Sequence, residues 1–274
     1  RRAGSPGAER GCGVSRPRLL DLFCGAGGAA MGYHRAGFDV TGVDIKPQKR
    51  YPFTFVQMDA LEYLRAHGGE YDAIHGSPPC QKFTALRTMP NAKEHPDLVA
   101  PTRELLMATG RPYIIENVPG SPLLNPVILC GTAFGLGLAD GRAELRRHRL
   151  FETNWHIGLV PPCAHGALAK ATVSVFGSDG ITGYERKRRK KTITVCGEHG
   201  GTRNYVPART VGVYGGSGGS TRKGYYQFNV ADRREAMGID WMTNAELSQS
   251  IPPAYTEFIG RRLLAELEAP CEPS

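Results

Sequence analysis

The chain has 274 residues, a formal net charge of +8, 41% hydrophobic and 22% charged residues, which is enough for one good-sized core and a second small one and excludes a low-complexity or disordered class. No apolar run approaches the roughly 20 residues that a helical membrane span requires, so a membrane is excluded as partner. The seven cysteines (12, 24, 80, 130, 163, 196 and 271) are odd in number, form no Cys-x-x-Cys pair and follow no secretory signal, which fits a reducing, intracellular setting better than a disulfide framework.

In chain order, residues 1–17 lack apolar periodicity and are rich in Gly, Arg, Ser and Pro, so they are expected to form a disordered arm. A strand is predicted from Arg18 to Phe23, then a glycine loop, Cys24 to Gly28, then a helix through about Ala36. Glycines between a strand and a helix let a ligand approach the backbone and the helix N-terminus. A second strand, Asp39 to Val43, ends in Asp44, at about the spacing where a dinucleotide fold sets an acid on a ribose. A tight turn with a solubilising aspartate is the plainer alternative. Phe53 to Gln57 reads as a third strand, with Asp59 just beyond it and a helix from Ala60 to Ala66.

The fourth strand, Tyr71 to His75, runs into Gly76-Ser77-Pro78-Pro79, which cannot continue a ladder because proline lacks an N–H and has φ fixed. Cys80 thus sits on a rigid turn at a strand's carboxyl end, where open α/β sheets bind ligands. It is a candidate nucleophile; a small buried hydrophobe is the alternative. A polar loop, Gln81 to Pro96, follows, of a length that suits a lid or binding element. Leu98 to Thr109 is predicted helical with Pro101 in its first turn. Tyr113 to Ile115 forms a fifth strand ending in Glu116-Asn117-Val118, and Val127 to Cys130 and His148 to Glu152 form two more, the last entered through Arg146, Arg147, His148 and Arg149. Strand and helix alternating in this way predict a mostly parallel, doubly wound sheet.

The texture changes at Thr153. Between Thr153 and Val230 eleven bases face three acids, so this segment holds the whole net charge of +8. Such a concentration implies a polyanion, nucleic acid first, with a solvated loop around Glu185 to Lys191 as the alternative. Short β-rich pieces occur here, Ala171 to Phe176 and Thr192 to Val195. Cys163-x-His165 and Cys196-x-x-His199 offer two thiols and two imidazoles, the ligand types of a structural zinc, but Cys-x-His is shorter than usual for such sites, and no metal is expected. Helical texture returns at Asp232 to Met237, Asn244 to Gln249 and Tyr255 to Leu267, and residues 268–274 are expected to fray.

In order, these residues resemble the DNA cytosine-5 methyltransferases, which use S-adenosylmethionine. DLFCGAGG (Asp21 to Gly28) is similar to the family's cofactor loop, GSPPCQ (Gly76 to Gln81) to the nucleophile motif, ENV (Glu116 to Val118) to the next catalytic motif, and RRHRLF (Arg146 to Phe151) to the arginine motif. The resemblance covers roughly residues 18–152 and 231–267. It implies an α/β fold, a doubly wound Rossmann-like methyltransferase sheet, with residues 153–230 as a small, mostly β or irregular target-recognition domain. It also implies Cys80 as nucleophile, Glu116 as the acid facing the base, and Arg147 and Arg149 around the pyrimidine. Phe23, Gly25, Gly27, Gly28, Asp44, Ile45, Asp59, Ala60, Pro79 and Ser250 would bind the cofactor, with Asp44 on the ribose and Asp59 on the adenine amino group. Duplex DNA is the implied partner, with a cognate restriction endonuclease as companion, for a monomer in the cytoplasm of a bacterial or phage-infected cell. The last motif departs from the family, Ser248-Gln249-Ser250 standing where a Gly-Asn pair is usual, and Leu145 stands where glutamine is usual.

The chemistry accounts for these groups. Carbon 5 of cytosine must be activated by a thiolate at C6, and a thiol of ordinary pKa near about 8.5 needs neighbouring positive charge to ionise. A carboxylic acid of raised pKa at N3 would offset the charge on the ring. The base must also leave the duplex stack. A transfer RNA substrate is the near rival, disfavoured because that branch's Cys-Phe-Thr stretch is missing; a silent DNA-binding paralogue would not need Cys80, Glu116 and Arg149 together.

Overall fold

The computed structural model describes residues 15–79, 97–141, 143–164 and 229–268, with the backbone of 171–176 and 211–214. Cys80, the loop 81–96, the strand expected at Thr192 to Val195, the basic run 186–191, most of the arm 1–17 and the tail from 269 lie outside the described residues.

Five strands, β1 (Arg18–Leu22), β2 (Asp39–Asp44), β3 (Thr54–Gln57), β4 (Ala73–Gly76) and β5 (Tyr113–Asn117), alternate with helices α1 (Gly28–Ala36), α2 (Ala60–His67) and α3 (Val99–Ala108). Then come β6 (Val127–Leu129), β7 (Ala143–Leu145), β8 (Arg149–Thr153), β9 (Ala171–Phe176) and β10 (Val211–Tyr214), and finally α4 (Val230–Met237), α5 (Asn244–Gln249) and α6 (Pro253–Glu268). The main sheet has seven strands in the order β3-β2-β1-β4-β5-β8-β6. Strands β1 to β5 are parallel, and β8 runs antiparallel to both β5 and β6. Chain order reverses between β1 and β4, so the crevice at their carboxyl ends is the topological switch point where such sheets bind ligands.

Two differences from the sequence expectation have simple causes. Strand β7 was not predicted, because three residues are too few to show a period; it pairs with β9, which pairs with β10, so the small second sheet starts ahead of Thr153. Order begins before Arg18 because Arg16 donates to Gly37 O at the C-terminal end of α1 and Asp39 N donates to Pro17 O.

The C-terminal helix is pressed onto α1 at backbone distance. A Cβ on Gly32 would overlap Thr256 Oγ1 and Pro253 O, and one on Gly260 would lie 2.7 Å from Ala36 Cβ. Thr256 Oγ1 donates to Ala29 O at 2.8 Å across this seam. Tyr33, Phe38, Tyr255, Ile259 and Leu263 complete the core beside it. On the far side of the site, Arg103 grips Glu152 through two bonds of 2.6 and 2.7 Å and ties α3 to β8.

Asp21, in the centre of β1, is fully buried, and among the described residues no donor meets either carboxylate oxygen in hydrogen-bonding geometry. Burial first, then the nearby charges of Asp44 and Glu116, push its pKa well above the usual carboxylate range, and the facing Ala30 N–H only partly opposes them.

Gly32→Val is expected to lower stability by about 1–3 kcal/mol or more, read as a shift in denaturant midpoint. Asp21 binds a proton in the folded state that the unfolded chain releases near about pH 4, so its contribution makes stability fall as pH rises above that value until the folded pKa is passed. Asp21→Asn is expected to flatten that part of the slope in urea titrations run between about pH 4 and pH 8.

Candidate active site

The loop after β1 is built to expose backbone. Phe23 (φ 57°), Gly25 (φ 50°) and Gly27 (φ 85°) all take left-handed conformations, a strained choice for the aromatic residue, and such strain concentrates at ligand sites. The three glycines answer different needs. A Cβ on Gly27 would lie 2.7 Å from Pro52 Cδ, and one on Gly28 would overlap Ser250 Oγ, so these two are small because neighbouring chain lies against them. Gly25 has open space where a Cβ would be. That face is the one a ligand could approach.

Asp44, at the end of β2, fastens the loop. Its Oδ2 accepts from Gly25 N at 3.1 Å and its Oδ1 from Lys46 N at 2.9 Å. Next to it Ile45 is 64% exposed, an apolar side chain held at the rim of the crevice. Asp59 follows β3 and accepts from Leu61 N and Glu62 N, so it caps α2 as well as lying at a strand's carboxyl end. Ala60, the first residue of that helix, is buried. Trp241 Nε1 donates to Ala26 O at 2.9 Å, which holds the loop from the C-terminal side.

Across the switch point stands a second group of side chains. Glu116 is 7% exposed at the end of β5, and its Oε1 lies 3.0 Å from Arg149 Nε. Because β8 is antiparallel to β5, Arg149 enters the sheet at the same edge at which β5 leaves it. Burial raises the Glu116 pKa, while Arg149, Arg147 and a hydrogen bond from the Ser77 hydroxyl hold it down; the net direction is up. The Ser77 hydroxyl also lies 2.9 Å from His75 Nε2, and His75 Nδ1 lies 3.0 Å from Tyr33 Oη. Burial lowers the His75 pKa to about 3, so the ring is neutral and can pass one donor and one acceptor along this row.

Asn117 pins the turn that leads to residue 80: its Nδ2 donates to Pro78 O at 3.0 Å. Ser77 N donates to Leu22 O, which joins the same turn to the start of the glycine loop. Pro79 is exposed at the end of the described segment.

The remaining expected residues divide by placement. Arg147 is 2% exposed, donates from Nη2 to Ser248 O (3.0 Å) and Ser250 O (2.6 Å), and through its own carbonyl accepts from Tyr255 Oη. It therefore braces the C-terminal stretch while adding positive charge near Glu116. Ser250 packs on Gly28 at the first turn of α1. Glu116, Arg149, Pro79 and the glycine loop gather at one edge of the sheet. Sequence reasoning assigned no role to Asn117, Ser77, His75 or Tyr33. The first two lay inside quoted motifs, whereas nothing in the spacing of Tyr33 and His75 announces that they meet.

No family model matches the chain. Part of it is 32% identical over 124 residues to the type II methyltransferase M.XorII of Xanthomonas oryzae pv. oryzae, a match covering 39% of this chain and 29% of that enzyme. It is 32% identical over 74 residues to the type II methyltransferase M.FnuDI of Fusobacterium nucleatum, covering 24% and 22% of the two chains. The matches thus span less than a third of those relatives. Two solved structures are similar over nearly the whole chain, each with a TM-score of 0.51. One is described as a DNA modification methyltransferase encoded within an E. coli prophage (16% identity, 92% of this chain and 100% of that one). The other is S. pombe Dnmt2 methyltransferase (14% identity, 93% and 100%). The chain has a Rossmann-like methyltransferase fold and is similar in sequence, over part of its length, to type II methyltransferases.

Proposed function

We propose that this chain is a DNA cytosine-5 methyltransferase, moving a methyl group from S-adenosylmethionine to C5 of a cytosine flipped out of duplex DNA. The observation that carries this reading is the buried Glu116–Arg149 pair, held beside the Ser77-Pro78-Pro79 turn that precedes Cys80 and facing the glycine loop across the switch point.

The crevice residues fit the implied cofactor. Gly25 leaves a backbone face open, and Ile45 offers an exposed apolar surface for a flat ring. Asp44, which fastens the loop, would bind the ribose, and Asp59, whose Oδ1 is engaged in capping, would accept from the adenine amino group. When bound, the cofactor supplies an electrophilic methyl group on a sulfonium.

The chain's own residues then do the following. Cys80 attacks C6 as thiolate, and the C6–S bond makes C5 enamine-like. Glu116, its pKa raised by burial, holds a proton at N3 of the base and so offsets the charge that develops on the ring. Arg149 keeps the carboxyl oriented and supplies positive charge near the reacting pyrimidine. After methyl transfer, a water molecule takes the C5 proton, the electron pair re-forms the C5–C6 double bond, and the C6–S bond breaks to restore the Cys80 thiolate. Asn117 acts through Pro78: it fixes the turn that precedes Cys80 in the chain. Residues 153–230 are the target-recognition segment in this reading, their basic side chains holding the backbone of the opened duplex. A cognate restriction endonuclease is its companion in this reading.

The test is transfer of labelled methyl to duplex DNA and, in a parallel arm, to transfer RNA. Incorporation into DNA that is lost in Cys80→Ser supports the proposal; incorporation into transfer RNA alone, or undiminished activity of the variant, overturns it. Glu116→Gln is expected to lower kcat by roughly 10²–10⁴-fold with little change in cofactor affinity, and wild-type kcat is expected to fall as pH rises through the elevated Glu116 pKa, since the protonated form is the active one.

A further inference from the structure

Cys163 has two neighbours that its sequence spacing did not suggest. Its described partners are Cys130, at the end of β6, and His148, at the entrance to β8. The Cys130 and Cys163 sulfurs and a ring nitrogen of His148 lie within 4.8 Å of one another, and His148 Nε2 is 3.2 Å from Cys163 Sγ. His165, Cys196 and His199 lie outside the described residues.

We propose that Cys130, His148 and Cys163 hold a zinc ion that fastens the root of the segment 153–230 to the edge of the main sheet. The inference stands apart from the reaction assigned above.

The ligand chemistry favours zinc. Two thiolates and a neutral imidazole balance the charge of the dication, and sulfur with histidine nitrogen is the donor set of tetrahedral zinc rather than of magnesium or calcium. Bonds of about 2.3 Å to sulfur and 2.0 Å to nitrogen put tetrahedral ligand atoms roughly 3.5–3.8 Å apart. His148 Nε2 and Cys163 Sγ are 3.2 Å apart, and no pair of the three ligand atoms is separated by more than 4.8 Å, so the three already converge on one point. Hydrogen bonding alone is a weaker explanation, because sulfur is a poor donor and a poor acceptor and gives a largely buried imidazole little in return for its lost water.

The surroundings are also those of a held ligand set. Thr132 Oγ1 lies 3.3 Å from Cys130 Sγ and accepts from Ala164 N at 3.2 Å, so one hydroxyl orients the ligand on β6 and the backbone next to the ligand at 163. Cys130 and His148 lie just beyond the Leu129–Arg149 pair that ends the β6–β8 ladder, and Cys163 returns to them from the segment after β8. His148 stands between Arg147 and Arg149, so an ion on its ring would restrain both arginines, one bracing the C-terminal stretch and the other facing Glu116. Three protein ligands leave one tetrahedral position for a further donor.

The experiment uses the full chain, purified without a histidine tag from zinc-supplemented cells. Metal analysis after gel filtration is expected to find about one zinc per chain. In Cys130→Ser and Cys163→Ser it is expected to fall at least fivefold. Cys163 is exposed, so its variant is expected to keep its circular dichroism spectrum and to separate loss of metal from loss of fold. In the wild type, alkylation mapped by mass spectrometry should leave Cys130 and Cys163 unmodified until a chelator is added. Cobalt replacing zinc should give a thiolate charge-transfer band that Cys163→Ser weakens. Zinc-free wild-type protein whose two thiols alkylate equally with and without chelator would overturn the proposal, and so would full zinc content in both variants.

Discussion

The antiparallel pairing of β8 with β5 is the constraint on which the site depends. Parallel strands bring their carboxyl ends to one edge, so acids, glycines and turns that follow β1 to β5 collect there without further instruction. A residue entering the edge from outside needs a strand running the other way. Strand β8 does this: Asn117 pairs with Leu150 and Glu116 with Phe151, so Arg149 arrives beside the carboxyl at the end of β5. The charge pair is thus a consequence of register, and a one-residue slip would turn its members to opposite faces.

Burying that pair costs desolvation, and a lone buried carboxylate would be worse. The structure settles this with a compromise: burial drives the Glu116 pKa up while two arginines and a serine hydroxyl restrain it. The row Tyr33, His75, Ser77 adds stiffness, because a neutral imidazole between two hydroxyls leaves Ser77 few other orientations. Energy spent on polar burial here appears as fixed geometry rather than as stability.

Much of the fold was legible because its elements are long and regular. The strands RLLDL and YIIEN are continuous apolar runs broken by an acid, and the helices are bounded by Gly37, Thr243 and Pro253 in the positions that end or begin helices. The motif residues were legible because each strand end is followed by a turn that stops the ladder. What stayed hidden is what packs across long separations. Gly28 looks like part of a ligand loop, yet Ser250 lies where its side chain would be. Arg147 and Arg149 are alike in the sequence, but one braces carbonyls at 248 and 250 and the other meets Glu116. Spacing reports which side chains share a face. It does not report which segment, a hundred residues later, comes to lie on it.

That late arrival has a consequence for how the two halves of the site are joined. The glycine loop and the acid pair lie on opposite sides of the switch point, and the sheet between them fixes only their backbones. The C-terminal stretch supplies the other link: Ser250 rests on Gly28, its carbonyl accepts from Arg147, and Tyr255 closes back on the Arg147 carbonyl. Helix α6 then lies along α1 with glycines at the crossing, so the loop's own helix cannot shift without moving the arginine segment. A displacement of the glycine loop is carried to the arginine segment through these side-chain-to-backbone bonds. The unusual Ser-Gln-Ser in this stretch is compatible with that duty, because the groups that do the bracing are the carbonyls of Ser248 and Ser250 and the hydroxyl of Tyr255, and a carbonyl is available from any residue.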